Sequence, residues 1–290
     1  MPDSLVRLAL VAGTVLGGVA TLLGLATAVC IGRERLVRTA GALGGRLRSV
    51  APYVLGLVLV LAVNKGLQPY TVRLSWAIDQ NITGWLASVE GEFVANLQAT
   101  LPHEAVLYFV GIYVVGYAFL LIFPLLAYLA LPDTRHLKRL LVAYAFNYGV
   151  GVFFYTLFIA FGPRNIYESV DQPMFELFPD LMLLTAAVNT SSNVFPSLHT
   201  SLAVTVFCFA LLTAREYPIW AVVATVIAWS VAVSTMALGI HWLIDVLAGI
   251  VLAAAAVPFA YAVVWALENR AETRAKWRSI VSRFRRGSPG

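Results

Sequence analysis

The chain is expected to be all-α: a polytopic transmembrane helix bundle of about seven spans, with a further helical segment lying in the outer membrane interface. Three observations lead there. About 60% of its 290 residues are apolar and only 12% carry charge, against roughly a quarter charged in soluble domains. The apolar residues gather in runs of about 18 to 27, the length a helix needs to cross roughly 30 Å of hydrocarbon at 1.5 Å per residue. Lys and Arg fall between those runs, so the net charge of +5 fits a membrane setting better than a nucleic-acid partner, and none is expected.

Taken in order, the spans are residues 8–32, 49–64, 105–131, 140–162, 197–214, 219–238 and 241–267. The first is too long for a cleaved signal core and is expected to stay as a helix. The uncharged part of the second, Ser49 to Val63, is short for a span, so it crosses only if Lys65 snorkels or the bilayer thins, with a re-entrant segment as the alternative. Residues 65–104 place Trp76, Ile78, Trp85, Leu86, Val89, Phe93 and Leu97 at mixed three- and four-residue spacing, which is expected of interfacial helices able to roof a site. Residues 1–267 thus read as one transmembrane domain and 268–290 as a basic cytoplasmic tail. Cys30 and Cys208 fall inside spans without a C-x-x-C partner and read as small buried residues.

Sixteen of the 20 Lys and Arg residues lie in the segments 33–48, 135–139 and 215 and in the tail. Cytoplasmic loops carry the excess of positive charge, so the N-terminus is expected outside and the C-terminus inside. The loop with Glu168, Asp171, Glu176 and Asp180 then faces outward.

Ionisable groups at the edge of a span are costly unless paired, which makes them the first candidates for function. His241 and Asp245 stand four apart on a helix, so the carboxylate can hold one imidazole N–H and leave the other nitrogen as a nucleophile. By itself that spacing belongs more often to a satisfied buried pair than to a nucleophile. His199 follows Pro196 and Ser197 at the mouth of the fifth span, where free backbone N–H groups and the helix dipole favour an anion and His199 can protonate a departing oxygen. Together these residues assemble phosphoryl transfer through a phosphohistidine, a reaction that depends on positioning and charge stabilisation and needs no metal or cofactor.

Phe195-Pro196-Ser197-Leu198-His199, followed by Ser234-Thr235, five residues, His241, three residues and Asp245, resembles the second and third signatures of the type 2 phosphatidic acid phosphatase superfamily. The resemblance covers about residues 140–255, a phosphatase-like core. It implies a six-helix catalytic core plus an N-terminal helix, with His241 as nucleophile, Asp245 as its orienting partner and His199 as general acid. The family's usual first motif, Lys, six residues and Arg-Pro, is missing; the stretch here reads Phe158 to Asn165 and leaves Arg164 as the nearest cation. Thr235 stands where an Arg usually follows the third-motif Ser, and Leu198 replaces a common Gly. These departures are similar to the branch that includes inositol phosphorylceramide synthase, which transfers a headgroup to an alcohol. Arg164, Ser197 and Ser234 are the expected phosphate-binding residues.

The expected activity is therefore that of a membrane lipid phosphatase or phosphotransferase acting on phosphate esters of lipids at the outer face. Two further readings stand beside it: a proton-linked transporter or channel relaying through Asp245, His241 and His199, and a divalent metal site made of the same three side chains.

Overall fold

The computed structural model describes residues 2–181 and 193–286, with side chains for 6–181 and 193–270. Among the described residues there are ten α-helices: α1 (Pro2–Ala26), α2 (Arg33–Ile78), α3 (Thr83–Glu90), α4 (Phe93–Thr100), α5 (His103–Leu129, with a π turn inside it), α6 (Arg135–Leu157), α7 (Pro173–Leu177), α8 (Leu198–Leu212), α9 (Pro218–Ala237) and α10 (Leu243–Arg286), besides a π turn at Thr27–Ile31 and a 3-10 turn at Pro163–Asn165. Six of these are long and apolar enough to span a bilayer: α1, α2, α5, α6, α9 and α10. The fifth expected span, α8, has only 15 residues, about 22 Å at 1.5 Å per residue, and is a shorter apolar helix. The chain is an all-α integral membrane protein.

The second span resolves differently from its sequence. The short uncharged run lies inside a single helix of 46 residues, about 69 Å long, so neither thinning nor re-entry is needed. Pro52 and Pro69 both lie within it, and Lys65 donates to Gln68 Oε1 at 3.3 Å. Trp76 and Ile78 consequently belong to this helix and not to a separate interfacial segment, which reduces to α3 and α4. In the basic tail the α10 backbone continues helically to Arg286. Residues 287–290 of the expected tail and 182–192 of the expected acidic loop lie outside the described residues, and the tail side chains beyond 270 do too.

The core is built on α5, α6, α8, α9 and α10. Without a hydrophobic driving force in lipid, such helices associate through small residues that let backbones approach and through interhelical hydrogen bonds. Ala203, Ala210, Ala224, Ala228, Ala253, Ala256 and Ala260 are buried at the contacts. Between them Phe119 and Phe123 pack on Trp220, the latter pair with ring centroids 4.6 Å apart. Polar links cross the bundle: Asn147 Nδ2 donates to Thr205 Oγ1 at 3.1 Å, and the Tyr217 hydroxyl donates to the Ala127 carbonyl at 2.8 Å. By contrast, α1 and α2 leave most of their apolar surface outside the packed core, α2 lying along α6.

The two ends of the bundle have different character. At one, Arg35 donates to the Glu216 carbonyl, Arg46 to the Leu129 carbonyl, and Arg135 and Lys138 pair with Glu268 at 3.1 and 2.9 Å. At the other, connecting strands of backbone are laced together. Ile82 N–H donates to the Ile159 carbonyl, Ile159 N–H to that of Gln80, and Val194 N–H to that of Ala160, so the α2–α3, α6–α7 and pre-α8 connections lie side by side. Both imidazoles of interest are at this second end.

Candidate active site

His241 sits in the tight turn between α9 and α10. Gly239, at φ +68°, reverses the chain after α9, and the N–H groups of Ile240 and His241 both donate to the Thr235 carbonyl, at 2.9 and 3.0 Å. Trp242 is fully buried and donates from Nε1 to the Phe161 carbonyl at 2.8 Å, fixing the turn to the α6–α7 connection. Asp245 lies in the first turn of α10. Its Oδ2 accepts from Trp242 N–H at 3.0 Å and lies 3.3 Å from His241 Nδ1. Negative charge at a helix N-terminus is favourable, and a proton on Nδ1 donated to this carboxylate would leave the lone pair on Nε2; the Val194 backbone also hydrogen-bonds the His241 ring. Both side chains are buried, and Asp245 Oδ1 has no partner among the described residues.

His199 enters from α8. Ser197 caps that helix, its hydroxyl accepting from Thr200 N–H at 3.3 Å, while Ser197 N–H donates to the Asp245 carbonyl at 3.0 Å. The start of α8 is therefore bonded directly to the start of α10. Gly249 permits the contact: a Cβ there would stand 2.6 Å from the Ser197 carbonyl oxygen. The His199 and His241 rings consequently meet with centroids 6.0 Å apart, at 61°. Two imidazoles from separate helical segments thus lie together at one end of the bundle.

Arg164 completes the cluster. It follows Pro163 in a short 3-10 turn, and its N–H donates to the Gly239 carbonyl at 3.2 Å. The approach is close because Gly162 lacks a side chain; a Cβ there would fall onto the Ile240 carbonyl, 2.1 Å away. The guanidinium lies over the Phe175 ring with Cζ 5.1 Å from its centroid, and Nη1 is buried without a partner among the described residues. Burial works against its charge, and that charge is felt at His241. A buried guanidinium nitrogen without a partner among the described residues can donate to an anion.

The two serines are placed otherwise. Ser197 Oγ is committed to Thr200 as a cap, and Ser234 Oγ donates to the Val231 carbonyl at 2.8 Å within its own helix. Both are fully buried, so their hydroxyls serve the backbone in this conformation. Thr235, at the position of the missing Arg, likewise turns its hydroxyl back to the Ala232 carbonyl and contributes to the site through its own carbonyl. Among the described residues no group of three or more His, Cys, Asp or Glu is arranged to hold a metal ion.

Several participants were not singled out by the sequence. Glu90, at the end of α3, accepts from the N–H groups of Leu243 and Ile244 at 2.8 and 3.1 Å, capping α10 across 153 residues of chain. Burial raises the pKa of Glu90, the two N–H groups oppose that shift, and the Asp245 charge adds to it. Gln98 on α4 donates to the carbonyls of Asp171 and Ala237 and accepts from Asp171 N–H, so the expected roof is tied down beside the site. Tyr113 and Tyr117 lie against His199, and no spacing pointed to them.

The helical bundle brings a carboxylate-held imidazole and a second imidazole to one end, beside an arginine that makes no salt bridge among the described residues. The model of the PAP2 superfamily matches residues 82–259, well over half of the chain, and the chain belongs to that superfamily of type 2 phosphatidic acid phosphatases, phosphatase-type lipid phosphoesterases. The match begins at α3, so the segment carrying Glu90 and Gln98 is part of the family unit, whereas the motifs alone delimited about 140–255. No curated protein and no solved structure matches the chain.

Proposed function

We propose that this protein is a metal-independent lipid phosphatase or phosphotransferase that works through a phosphohistidine on His241. The observation that carries the reading is the 6.0 Å separation of the His199 and His241 rings with Asp245 behind the latter. In the first step His241 Nε2 bonds to phosphorus while the bond from phosphorus to the lipid oxygen breaks, and His199 gives that oxygen its proton. Asp245 stabilises the imidazolium formed on His241, as in a catalytic triad. Arg164 Nη1 pairs with the phosphoryl oxygens. In the second step water, or the hydroxyl of an acceptor, gives its proton to His199 and attacks phosphorus, releasing His241.

The apolar flanks and the membrane-surface position favour a lipid ester over a free sugar phosphate. Thr235 in place of an arginine and Leu198 in place of a glycine support an acceptor alcohol, in the manner of inositol phosphorylceramide synthases, in addition to water. The Leu198 side chain is packed onto Gly151, where a Cβ would stand 2.6 Å from it. Orientation follows from charge: the basic segments lie at the end remote from the histidines, so the positive-inside bias puts the site on the extracytoplasmic face and the C-terminus in the cytoplasm.

The test is turnover of a panel of lipid phosphates by purified protein in the presence of water alone or of polyol acceptors. Release of inorganic phosphate identifies the hydrolase, and a new phosphodiester or phosphomonoester product the transferase. Acid-labile phosphate trapped on the protein must vanish in His241→Gln. Full turnover by both His241→Ala and His199→Ala would overturn the mechanism.

A further inference from the structure

The general acid of this scheme has an unusual setting. An acid must hold its proton before the reaction, yet partial burial works against an imidazolium, and a second imidazole faces His199 at 6.0 Å. Among the described residues His199 makes no ion pair with a carboxylate; Asp245 is engaged by His241 and Trp242. What lies against His199 instead is two tyrosine rings. The Tyr113 and Tyr117 centroids are each 4.8 Å from that of His199, with the rings tilted by 30° and 46°.

Both tyrosines come from one turn of α5, and that turn is distinctive. Over Ile112–Gly116 the helix widens to π-type hydrogen bonding before resuming the α pattern at Tyr117. One-turn π segments recur at functional sites because they re-aim side chains that regular helix would splay. Here two aromatic rings, four residues apart, are set against a single imidazole. A ring face attracts a cation within about 6 Å of its centroid, most strongly where water is displaced.

We propose that Tyr113 and Tyr117 form an aromatic clamp that positions His199 and stabilises its protonated form, so that it is charged when the leaving oxygen departs. The inference rests on the reading of His199 as the acid. The titratable and charged groups around the ring are His241 in the turn ahead of α10, Tyr113 and Tyr117 on α5, Tyr155 on α6 and, beyond His241, Asp245 on α10 and Arg164 in the 163–165 turn. Tyr155 acts on the backbone, its hydroxyl donating to the Pro196 carbonyl at 3.1 Å. The hydroxyls of the clamp are not required for this role; the ring faces are.

The experiment is the pH profile of kcat/KM for phosphate release from a short-chain phosphatidic acid by the full-length protein in detergent. Tyr113→Leu and Tyr117→Leu should each move the alkaline limb down by about one pH unit, a tenfold change in the protonation equilibrium of the acid, with KM within about twofold of wild type. Tyr113→Phe and Tyr117→Phe should restore the limb to its place. Should the leucine variants fail to fold, progressively fluorinated phenylalanines at 117 keep the shape while draining charge from the ring face, and the limb should step downward with each fluorine. An unmoved limb across the fluorinated series, or phenylalanine variants as damaged as leucine, would overturn the clamp. If His199→Ala is fully active, the acid reading itself is lost; if it is inactive while the fluorinated series leaves the limb in place, only the clamp is.

Discussion

Residues 2–78 and 82–259 draw on the same apolar residue types but are held in different ways. In α1 and α2 only 6% of the most apolar window is buried inside the protein, whereas in α5, α6, α9 and α10 the share is 33–50%. The first pair carries exposed Leu and Val along its length, Leu16, Leu25, Leu55 and Leu59 among them. The second region packs alanine on alanine and ties its ends with backbone hydrogen bonds. Apolar surface is enough to hold a helix in lipid, where contact with acyl chains costs nothing. Fixing two imidazoles 6.0 Å apart takes more: close backbone approach at Gly162, Gly239 and Gly249, and caps on the helices that carry the reacting groups. The family match begins where that second kind of construction begins.

Substitutions can break this contrast, and the largest effects belong to the reacting groups. Asp245→Asn should lower kcat by about a thousandfold or more, because the amide cannot stabilise the imidazolium that forms on His241; steady-state phosphate release measures it. Next comes Gly162→Ala. The new methyl would meet the Ile240 carbonyl, pushing the His241 turn away from Arg164, and a displacement of about 1 Å at a reacting centre can cost on the order of a hundredfold. The same assay on detergent-purified protein, with the melting temperature recorded in parallel, separates displacement from unfolding.

Glu90→Gln should produce a smaller and more diagnostic change. The carboxylate accepts two N–H bonds and the amide oxygen replaces them incompletely, so kcat should drop by about three- to tenfold at neutral pH with KM nearly constant. Its pH dependence has a defined sign. Because burial holds the Glu90 pKa above the usual carboxylate range, the native state binds the extra proton, and this residue's contribution to stability falls as pH rises from the ordinary value through the raised one. The difference in melting temperature between wild type and Glu90→Gln, followed from about pH 4 to pH 7, should show that decline. A flat difference would mean the carboxyl titrates normally. The smallest effect is expected at Leu55→Ala and Leu59→Ala on α2, whose exposed side chains should leave activity unchanged and stability within about 0.5 kcal/mol. A tenfold loss of turnover there would erase the distinction between the two regions.

Much of the candidate site's geometry was legible because its contacts are local. His241 and Asp245 are four residues apart, so helical geometry alone brings them together, and Pro196-Ser197 announces the helix start that carries His199. Arg164 was found as the nearest cation in the stretch that lacks the usual motif, and it does lie beside the Gly239 turn. The spans were legible from length and hydropathy, save that the second was judged by its uncharged run, and backbone hydrogen bonding carries a helix through charged residues as readily as through apolar ones. Glu90, Gln98, Tyr113 and Tyr117 left no such trace. Each acts on a partner dozens of residues away or more, and a lone glutamate or tyrosine in an apolar sequence has no spacing to betray it. The serines were legible as residues of the motif, but what their hydroxyls bond to depended on the backbone around them.

From the sequence alone came the membrane, the all-helical class, the segregation of basic segments and the residue types that phosphoryl transfer demands, because hydrocarbon thickness, helix period and imidazole chemistry act on stretches of a few to a few tens of residues. The tertiary structure decided which of those stretches meet. It set α8 against α10 through a glycine, bonded the backbone of Arg164 to the Gly239 turn, and brought α3 across to cap the helix of Asp245. Distance along the chain carries no information about such contacts; they follow from packing, in which each helix is positioned by all of its neighbours at once.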